Sequence, residues 1–259
     1  MPSDRLDLDR LLASSLVADV EYYATLGSTN DRAKECAARG PGKLPLLVIA
    51  DAQTAGRGRG ANRWWTGHGS LAFTLLFDAH ELGLERMRLP LVALATGVAV
   101  VEAVAPLVPS LSVGVRWPND VYVGDRKLAG LLVEVPTERF FVVGIGVNIN
   151  NTLADAPAEL ARKVTTLRDL TGAAHDRTAI LLAILAQLTA WLHCLASTPE
   201  AVGSRANQLC LQHGQTLTLD AGGRLVTGTC AGVASDGALL LETPEGRRRF
   251  YSGVLKHDR

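Results

Sequence analysis

A surplus of either charge is missing from this 259-residue chain, in which 26 Lys and Arg stand against 26 Asp and Glu. A balanced chain has no global field for holding nucleic acid or an anionic membrane, so any basic chemistry has to be local. Cysteine is scarce and scattered: Cys36, Cys194, Cys210 and Cys230 form no CxxC pair and no dense framework. That spacing excludes a small disulfide-stapled secreted domain and suits reduced, mostly buried thiols. The opening MPSDRLDLDRLLASSL lacks the continuous apolar core of a signal peptide, so a cytoplasmic location is expected. Disorder is excluded as well, because 47% apolar residues can bury enough surface to offset chain entropy.

Long uninterrupted apolar runs are also absent. Leu89 to Val108 and Ile180 to Ala196 approach the ~20 residues that a bilayer needs, but Gly97, Glu102 and Pro106 break the first, and Gln187 and His193 the second. Ile180, Ile184, Leu188, Trp191 and Leu195 recur at steps of three and four, the stripe of a packed helix. Both runs read as core helices, and no membrane partner is expected.

At roughly 150 residues per domain, the length suits one large domain or a large and a small one. The pattern predicts a helix over Asp4–Leu16, a strand near Val20–Ala24, and a second helix opened by Ser28-Thr29-Asn30-Asp31 and stopped by Gly40-Pro41-Gly42. Strands follow at Leu46–Ala50 and Ser70–Phe77, separated by a polar, Gly-rich loop over Asp51–Gly69, a usual place for binding residues. After the Leu89–Ala105 helix come a strand at Ser112–Trp117, a hairpin of Val121–Val123 and Lys127–Val135 about Gly124-Asp125, and a strand at Phe140–Asn148. Beyond Ser197 only short strands with turn signals are predicted: Thr216–Leu219, Leu225–Val233, Ala238–Leu241 and Arg248–Val254. The expected fold is α+β, with residues 1–209 forming a layered domain and 210–259 a small β-barrel.

Four segments could carry chemistry. In Gln53-Thr54-Ala55-Gly56-Arg57-Gly58-Arg59-Gly60, alternating Gly and Arg lets backbone N–H groups approach an anion while guanidinium forks reach it from the side. The spacing is neither a Walker loop nor a dinucleotide fingerprint, and a bare RGRG also suits an RNA-binding tract or a solvated turn. Arg116-Trp117-Pro118-Asn119-Asp120 sets short polar groups at a strand end, although PND alone is an ordinary turn. In Arg126-Lys127-Leu128-Ala129-Gly130-Leu131-Leu132-Val133-Glu134, a lysine opens an apolar strand, either as a donor to a ligand or as an edge charge. Glycines within Gly144-Ile145-Gly146-Val147-Asn148 mark close approach of a backbone or ligand.

Taken in order, GSTN, QTAGRGRG, RWPND, RKLAGLLVE and GIGVNIN resemble biotin protein ligase, also called holocarboxylase synthetase, over about Tyr22 to Asn150. GTCAGVASDGALLLE resembles that family's C-terminal SH3-like domain. The resemblance implies a mixed sheet with helices of the class II aminoacyl-tRNA-synthetase and biotin-synthetase type, followed by an SH3-like β-barrel. It also implies that biotin and ATP form biotinoyl-5′-AMP and pyrophosphate, and that biotin then passes to a lysine of a biotin carboxyl carrier domain of an acyl-CoA carboxylase. The absence of a GxSxG motif or a Cys beside a His agrees with a route that needs no covalent enzyme intermediate.

By the same resemblance, Ser28, Thr29, Asn30, Gln53 and Gly130 belong to the biotin site, with Lys127 at the ureido and carboxylate end of the ligand. Arg57, Gly58 and Arg59 form the loop over biotin and the adenylate. Arg57 and Arg59 are expected to screen the biotin carboxylate from the α-phosphate. Trp64 is expected on the adenine side, Asn148 at the adenine or phosphate region, Asn119 near the phosphates, and Asp120 where it could orient the incoming amine. Mg²⁺ would ride on ATP, and no metal ligand is assigned. Some members dimerise through a sheet edge, so a homodimer is one expectation.

Three positions depart from the commonest family pattern: Gly60-Ala61-Asn62 in the loop, Arg116 for lysine, and Thr66-Gly67 for Ser-Pro. Roughly 20 residues precede the similar region, too few for the helix-turn-helix of repressor members, so no nucleic-acid partner is expected. The alternatives are a lipoate or octanoate ligase and a non-catalytic binder of an adenylate or of nucleic acid.

Overall fold

The computed structural model describes residues 5–256. Helix α1 (Leu8–Ala13) precedes strand β1 (Asp19–Leu26), helix α2 (Thr29–Arg39) and strands β2 (Leu46–Gln53) and β3 (Leu71–Asp78). Helix α3 (Leu89–Val104) leads to β4 (Val113–Arg116), β5 (Asp120–Val123), β6 (Arg126–Glu134) and β7 (Phe140–Val147). Helices α4 (Leu167–Thr171), α5 (Arg177–Ser197) and α6 (Pro199–Gln208) then connect to five strands: β8 (Thr216–Asp220), β9 (Leu225–Val233), β10 (Leu239–Thr243), β11 (Gly246–Phe250) and β12 (Val254–Lys256). The first predicted helix begins at Asp4, outside the described residues; within them the helix is the shorter α1.

Strands β1 to β7 form one mixed sheet in the order β1-β2-β3-β7-β6-β5-β4. Only β1 and β2 are parallel, joined across α2, and the other neighbours are antiparallel. Alternation along β2 feeds both faces of the sheet: Leu47 and Ile49 join the large core under α3 and α5, and Leu46 and Val48 pack with Ala33 and Ala37 of α2. Strands β3 and β7 are buried along their whole length, and each fully buried Leu or Phe contributes about 1.5–3 kcal/mol.

Segments 86–107 and 177–197 are both long and apolar enough to cross a membrane. In this fold α3 and α5 pack on each other and α3 lies against the sheet, with Ile180, Ile184, Leu188 and Leu195 buried as the stripe predicts. Trp191 stays at the margin, where its indole donates to Glu102 Oε2 at 2.8 Å. Helix α6 is absent from the sequence reading because its apolar face is short, and Gly203 within it exists for contact: a Cβ there would lie 2.3 Å from Ser235 O.

The C-terminal strands overturn the expected barrel. They form an open five-stranded antiparallel sheet in the order β11-β10-β9-β8-β12, and closure would require its two outer strands to pair. Among the described residues β11 pairs only with β10 and β12 only with β8. The single strand expected over Arg248–Val254 is in fact two, broken before Gly253 at φ +151°, and this break carries β12 across to β8.

This small sheet is firmly docked. Val115 accepts from Leu211 N and donates to Leu209 O, while Trp117 donates its backbone N–H to Gln212 Oε1 at 2.6 Å and its indole N–H to Gly237 O at 3.1 Å. The docking brings β12 to the edge of the cavity described next.

Candidate functional site

A cavity of about 830 Å³ opens on the α2 face of the large sheet, within the range of ligand sites. Its floor is glycine. Gly144 and Gly146 of β7 and Gly130 of β6 line it, and their missing side chains make room for other groups: a Cβ at Gly144 would lie 1.9 Å from Asn30 Oδ1, and one at Gly146 2.3 Å from Trp64 Cε2.

The α2 end is a closed polar network. Ser28 caps the helix, its side chain accepting from Asp31 N, so Thr29 and Asn30 are fixed in the first turn and buried. Asn30 Nδ2 donates to Leu132 O at 3.1 Å and to Glu134 Oε2 at 2.9 Å, and Asn30 Oδ1 accepts from Thr74 Oγ1 at 2.7 Å. Gln53 Oε1 accepts from Thr29 N at 2.9 Å, and Gln53 Nε2 donates to Thr66 Oγ1 at 3.2 Å. Thr66, one of the departures from the family pattern, thus completes this wall, and its neighbour Gly67 lies flat on the Trp65 ring, where a Cβ would come within 2.6 Å.

Residues 56–64 fold into a small hairpin across the cavity. Gly58 N donates to Asn62 O at 2.8 Å, Trp64 N donates to Gly56 O at 3.0 Å, and Arg57 bridges Arg63. Gly60, with φ +61°, makes the turn, which is how the Gly60-Ala61-Asn62 variant is accommodated. Arg57 Nη1 reaches Asp31 Oδ1 at 2.7 Å and Glu134 Oε1 at 3.2 Å. Arg59 points the other way, with weak contacts to Asn119 Oδ1 at 3.4 Å and Gly253 O at 3.3 Å. Burial draws the Arg59 guanidinium below its ordinary value, with Asp120 opposing, yet arginine stays charged.

The far end is cationic. Arg59, Arg63, Arg116, Lys127, Arg162, Lys163 and Lys256 line the cavity there against two carboxylates, Asp120 and Asp125, while Arg57 lines it from the α2 end. Lys127 Nζ lies 2.7 Å from Asp120 Oδ1, close but without hydrogen-bond alignment, because Oδ1 is buried with no hydrogen-bond partner. The same ammonium sits 5.8 Å from the centre of the Trp64 ring. Arg116 stacks its guanidinium 4.5 Å over Tyr122, a contact that a lysine would make less well. Buried Arg116 Nε and Trp64 Nε1 have no hydrogen-bond partner among the described residues.

The structure therefore gathers Ser28, Thr29, Asn30, Gln53, Arg57, Gly58, Arg59, Trp64, Asn119, Asp120, Lys127 and Gly130 around one cavity. One expected residue stands outside the cavity lining. Asn148 does not line the cavity: it is 1% exposed, and its Oδ1 accepts from Asn151 Nδ2. Trp64 lies over the glycine floor of β6 and β7. Arg162, Lys163 and the β12 residues are lining groups that sequence reasoning missed. The 162–163 segment arrives through a bridge between Lys127 and Val164 and β12 through docking of the small sheet, and neither leaves a motif.

Comparison with known proteins gives a consistent picture. Residues 23–150 match the biotin/lipoate A/B protein ligase family, and residues 213–254 match the biotin protein ligase C terminal domain. The chain is 34% identical to the biotin–[acetyl-CoA-carboxylase] ligase of Mycobacterium tuberculosis over 93% of this chain and 90% of that protein. It is 29% identical to the bifunctional ligase/repressor BirA of Bacillus subtilis, covering 91% of this chain and 73% of that one. Among solved structures, biotin protein ligase from Aquifex aeolicus in complex with biotin and ATP superposes with a TM-score of 0.79 at 29% identity, covering 92% of this chain and 97% of that one. The order of motifs, the glycine-floored cavity and these similarities together establish that the chain belongs to the biotin protein ligases of the biotin/lipoate ligase family.

Proposed function

We propose that this cavity activates biotin with ATP and passes it to a lysine of a biotin carboxyl carrier domain. The observation that carries the proposal is the polarity of the cavity: a neutral hydrogen-bonding wall at the α2 end, a glycine floor, and a cationic far end. A bicyclic ureido head with an aliphatic tail fits the first two, and a carboxylate meeting a triphosphate fits the third. In the first step a biotin carboxylate oxygen attacks the α-phosphorus, the bond to the β-phosphate bridging oxygen breaks, and pyrophosphate leaves. In the second the lysine amine attacks the acyl carbon and AMP departs.

Ser28, Thr29 and Gln53 hold the head group, and Gly130 admits it to the sheet. Asn30, whose amide is engaged by Thr74, Leu132 and Glu134, shapes this wall. Lys127 and Arg59 neutralise the carboxylate and α-phosphate, whose repulsion would otherwise keep them apart; positioning then supplies much of the rate. Trp64 covers the ligand and Asn119 supports the phosphate end. Asp120 is paired with Lys127 until the anionic ligand takes that lysine, after which Asp120 can orient the incoming amine. The cavity carboxylates, Asp120 and Asp125, are too few for a protein-built cage for Mg²⁺, which prefers several oxygen ligands. The ion that accompanies ATP is therefore assigned to its phosphates.

Residues 1–209 are proposed as the ligase domain and 210–259 as a closing domain that contributes β12 to the cavity. Use of ATP and four free cysteines suit the cytoplasm. The test is exchange of labelled pyrophosphate into ATP without acceptor. Exchange with biotin, and not with lipoate or octanoate, is expected. Exchange with lipoate would move the protein to the sister activity, and none with any acid would leave only binding.

A further inference from the structure

Asp31 Oδ1 carries two cations at once: Arg57 Nη1 at 2.7 Å from the hairpin and Lys34 Nζ at 2.8 Å from the next turn of α2. Glu134 repeats the arrangement, with both Arg57 Nη1 and Lys34 Nζ 3.2 Å from Oε1. Glu134 is also tied inward, because its Oε2 accepts from Asn30 Nδ2 at 2.9 Å. One arginine of the hairpin is thus held by two carboxylates that belong to α2 and β6, and one of these touches the head-group wall. Burial raises the Asp31 carboxyl, but Lys34 and Arg57 beside it prevail and hold it below the usual carboxylate range.

Resting on the biotin ligase reading of the cavity, we infer that Asp31 and Glu134 are positioning residues that latch the hairpin through Arg57, and that Lys34 weakens the latch by competing for the same oxygens. Geometry favours this over a merely solvated charge cluster. Trp64 packs the end of the hairpin on the glycine floor, but its other polar side-chain tie, through Arg59, consists of two contacts of 3.3 and 3.4 Å to Gly253 O and Asn119 Oδ1, near the limit of a hydrogen bond. Only the Arg57 contacts are charge-assisted on both sides, and such bonds are about twice as strong as neutral ones. The latch therefore sets how long the hairpin stays down, and with it how long the adenylate is retained. Lys34 touches neither the cavity floor nor the hairpin, yet it shares the oxygens on which the hairpin depends.

The opposite signs make the inference testable. In the ligand-free protein, trypsin cleavage after Arg57, Arg59 or Arg63 reports opening of the hairpin; in the loaded protein, Trp64 fluorescence or a filter assay reports adenylate release. Asp31→Asn and Glu134→Gln are each expected to speed both about three- to fivefold, the upper scale of a partly exposed ion pair. Lys34→Met should slow both about two- to threefold, the scale of an exposed ion pair. Acceleration by Lys34→Met, or unchanged cleavage in both carboxylate variants, would overturn the latch. All three side chains are at least partly exposed, so the variants should fold. If biotin activation itself fails, no adenylate forms but the order of cleavage rates still decides. If only the latch is wrong, biotin-dependent pyrophosphate exchange persists and the order is lost.

Discussion

At the α2 end of the cavity the amides of Asn30 and Gln53 are engaged by Thr74, Glu134, Thr29 and Thr66. At the far end Trp64 Nε1 and Arg116 Nε are buried without a hydrogen-bond partner among the described residues, and Arg59 is held by two long contacts. A buried unsatisfied donor costs about 1–3 kcal/mol, so a fold keeps such groups where a ligand can satisfy them. The contrast separates two tasks. On the proposed reading, a neutral head group meets a wall already complete, because its selection needs shape and fixed hydrogen bonds. Charged groups that react and leave need an end whose protein contacts can be exchanged.

The largest expected effect strikes the complete end. A methyl at Gly144 would meet Asn30 Oδ1 at 1.9 Å, and Asn30 cannot retreat without abandoning Thr74, Leu132 or Glu134. Gly144→Ala should therefore cost about 3 kcal/mol in unfolding free energy, combining overpacking with a lost buried bond, and should abolish biotin affinity. A denaturant titration with biotin calorimetry would check it; a variant with wild-type midpoint and affinity would mean that the wall has slack. Next is Lys127→Ala at the exchangeable end. Loss of a charge-assisted contact of about 1.5–3 kcal/mol should weaken biotin binding by an order of magnitude or more. Stability should change far less, because Lys127 pairs with Asp120 without hydrogen-bond alignment. Unchanged affinity would return Lys127 to the part of an edge charge.

The complete end was also the more legible one in sequence. Ser28 before an amphipathic run gives the cap, and the cap fixes Thr29 and Asn30; the glycines of β6 and β7 announce close approach in strands otherwise apolar. The cap and the glycines are local signals, whereas the bonds that complete the wall join residues 13 to 104 positions apart. The partners Thr74 and Thr66 were silent, since a threonine in a buried strand and another in a loop look like hundreds of others. At the far end Arg162, Lys163 and Lys256 line the cavity only because separate segments dock there. Asn148 stands outside the cavity lining because β7 ends before it and its side-chain oxygen accepts from Asn151. The barrel expectation failed because strand rhythm says how many strands there are, whereas closure depends on which outer strands pair.

A smaller effect would sharpen the comparison. Arg59→Gly removes two weak contacts and one cation from the exchangeable end, so unfolding free energy should move by under about 0.5 kcal/mol, as for a surface substitution. Adenylate retention should fall instead, appearing as biotin on bystander lysines when a non-substrate protein is mixed in. Tight retention in this variant would assign the retaining role to Arg57 alone.

The smallest effect is spread over acid groups at the complete end. Arg32 hydrogen-bonded to Glu21 holds that carboxyl below its usual value against burial, and Asp31 is lowered as well, with Lys34 and Arg57 outweighing burial. A carboxyl with a lowered folded-state value binds fewer protons than its unfolded counterpart, so the stability it contributes is complete above the unfolded value, about 4, and is lost as pH falls through the folded one. Denaturation midpoints should therefore stay flat from pH 5 upward as far as these groups are concerned and decline below about pH 4. Asp31→Asn should lessen that acid decline and lower stability at neutral pH by the same small amount, because both its ion pairs are partly solvent-exposed and weak for stability. A midpoint that rose on acidification, or an acid decline equally steep without Asp31, would show that the pairs around Arg57 position the hairpin without contributing to the pH dependence of the fold.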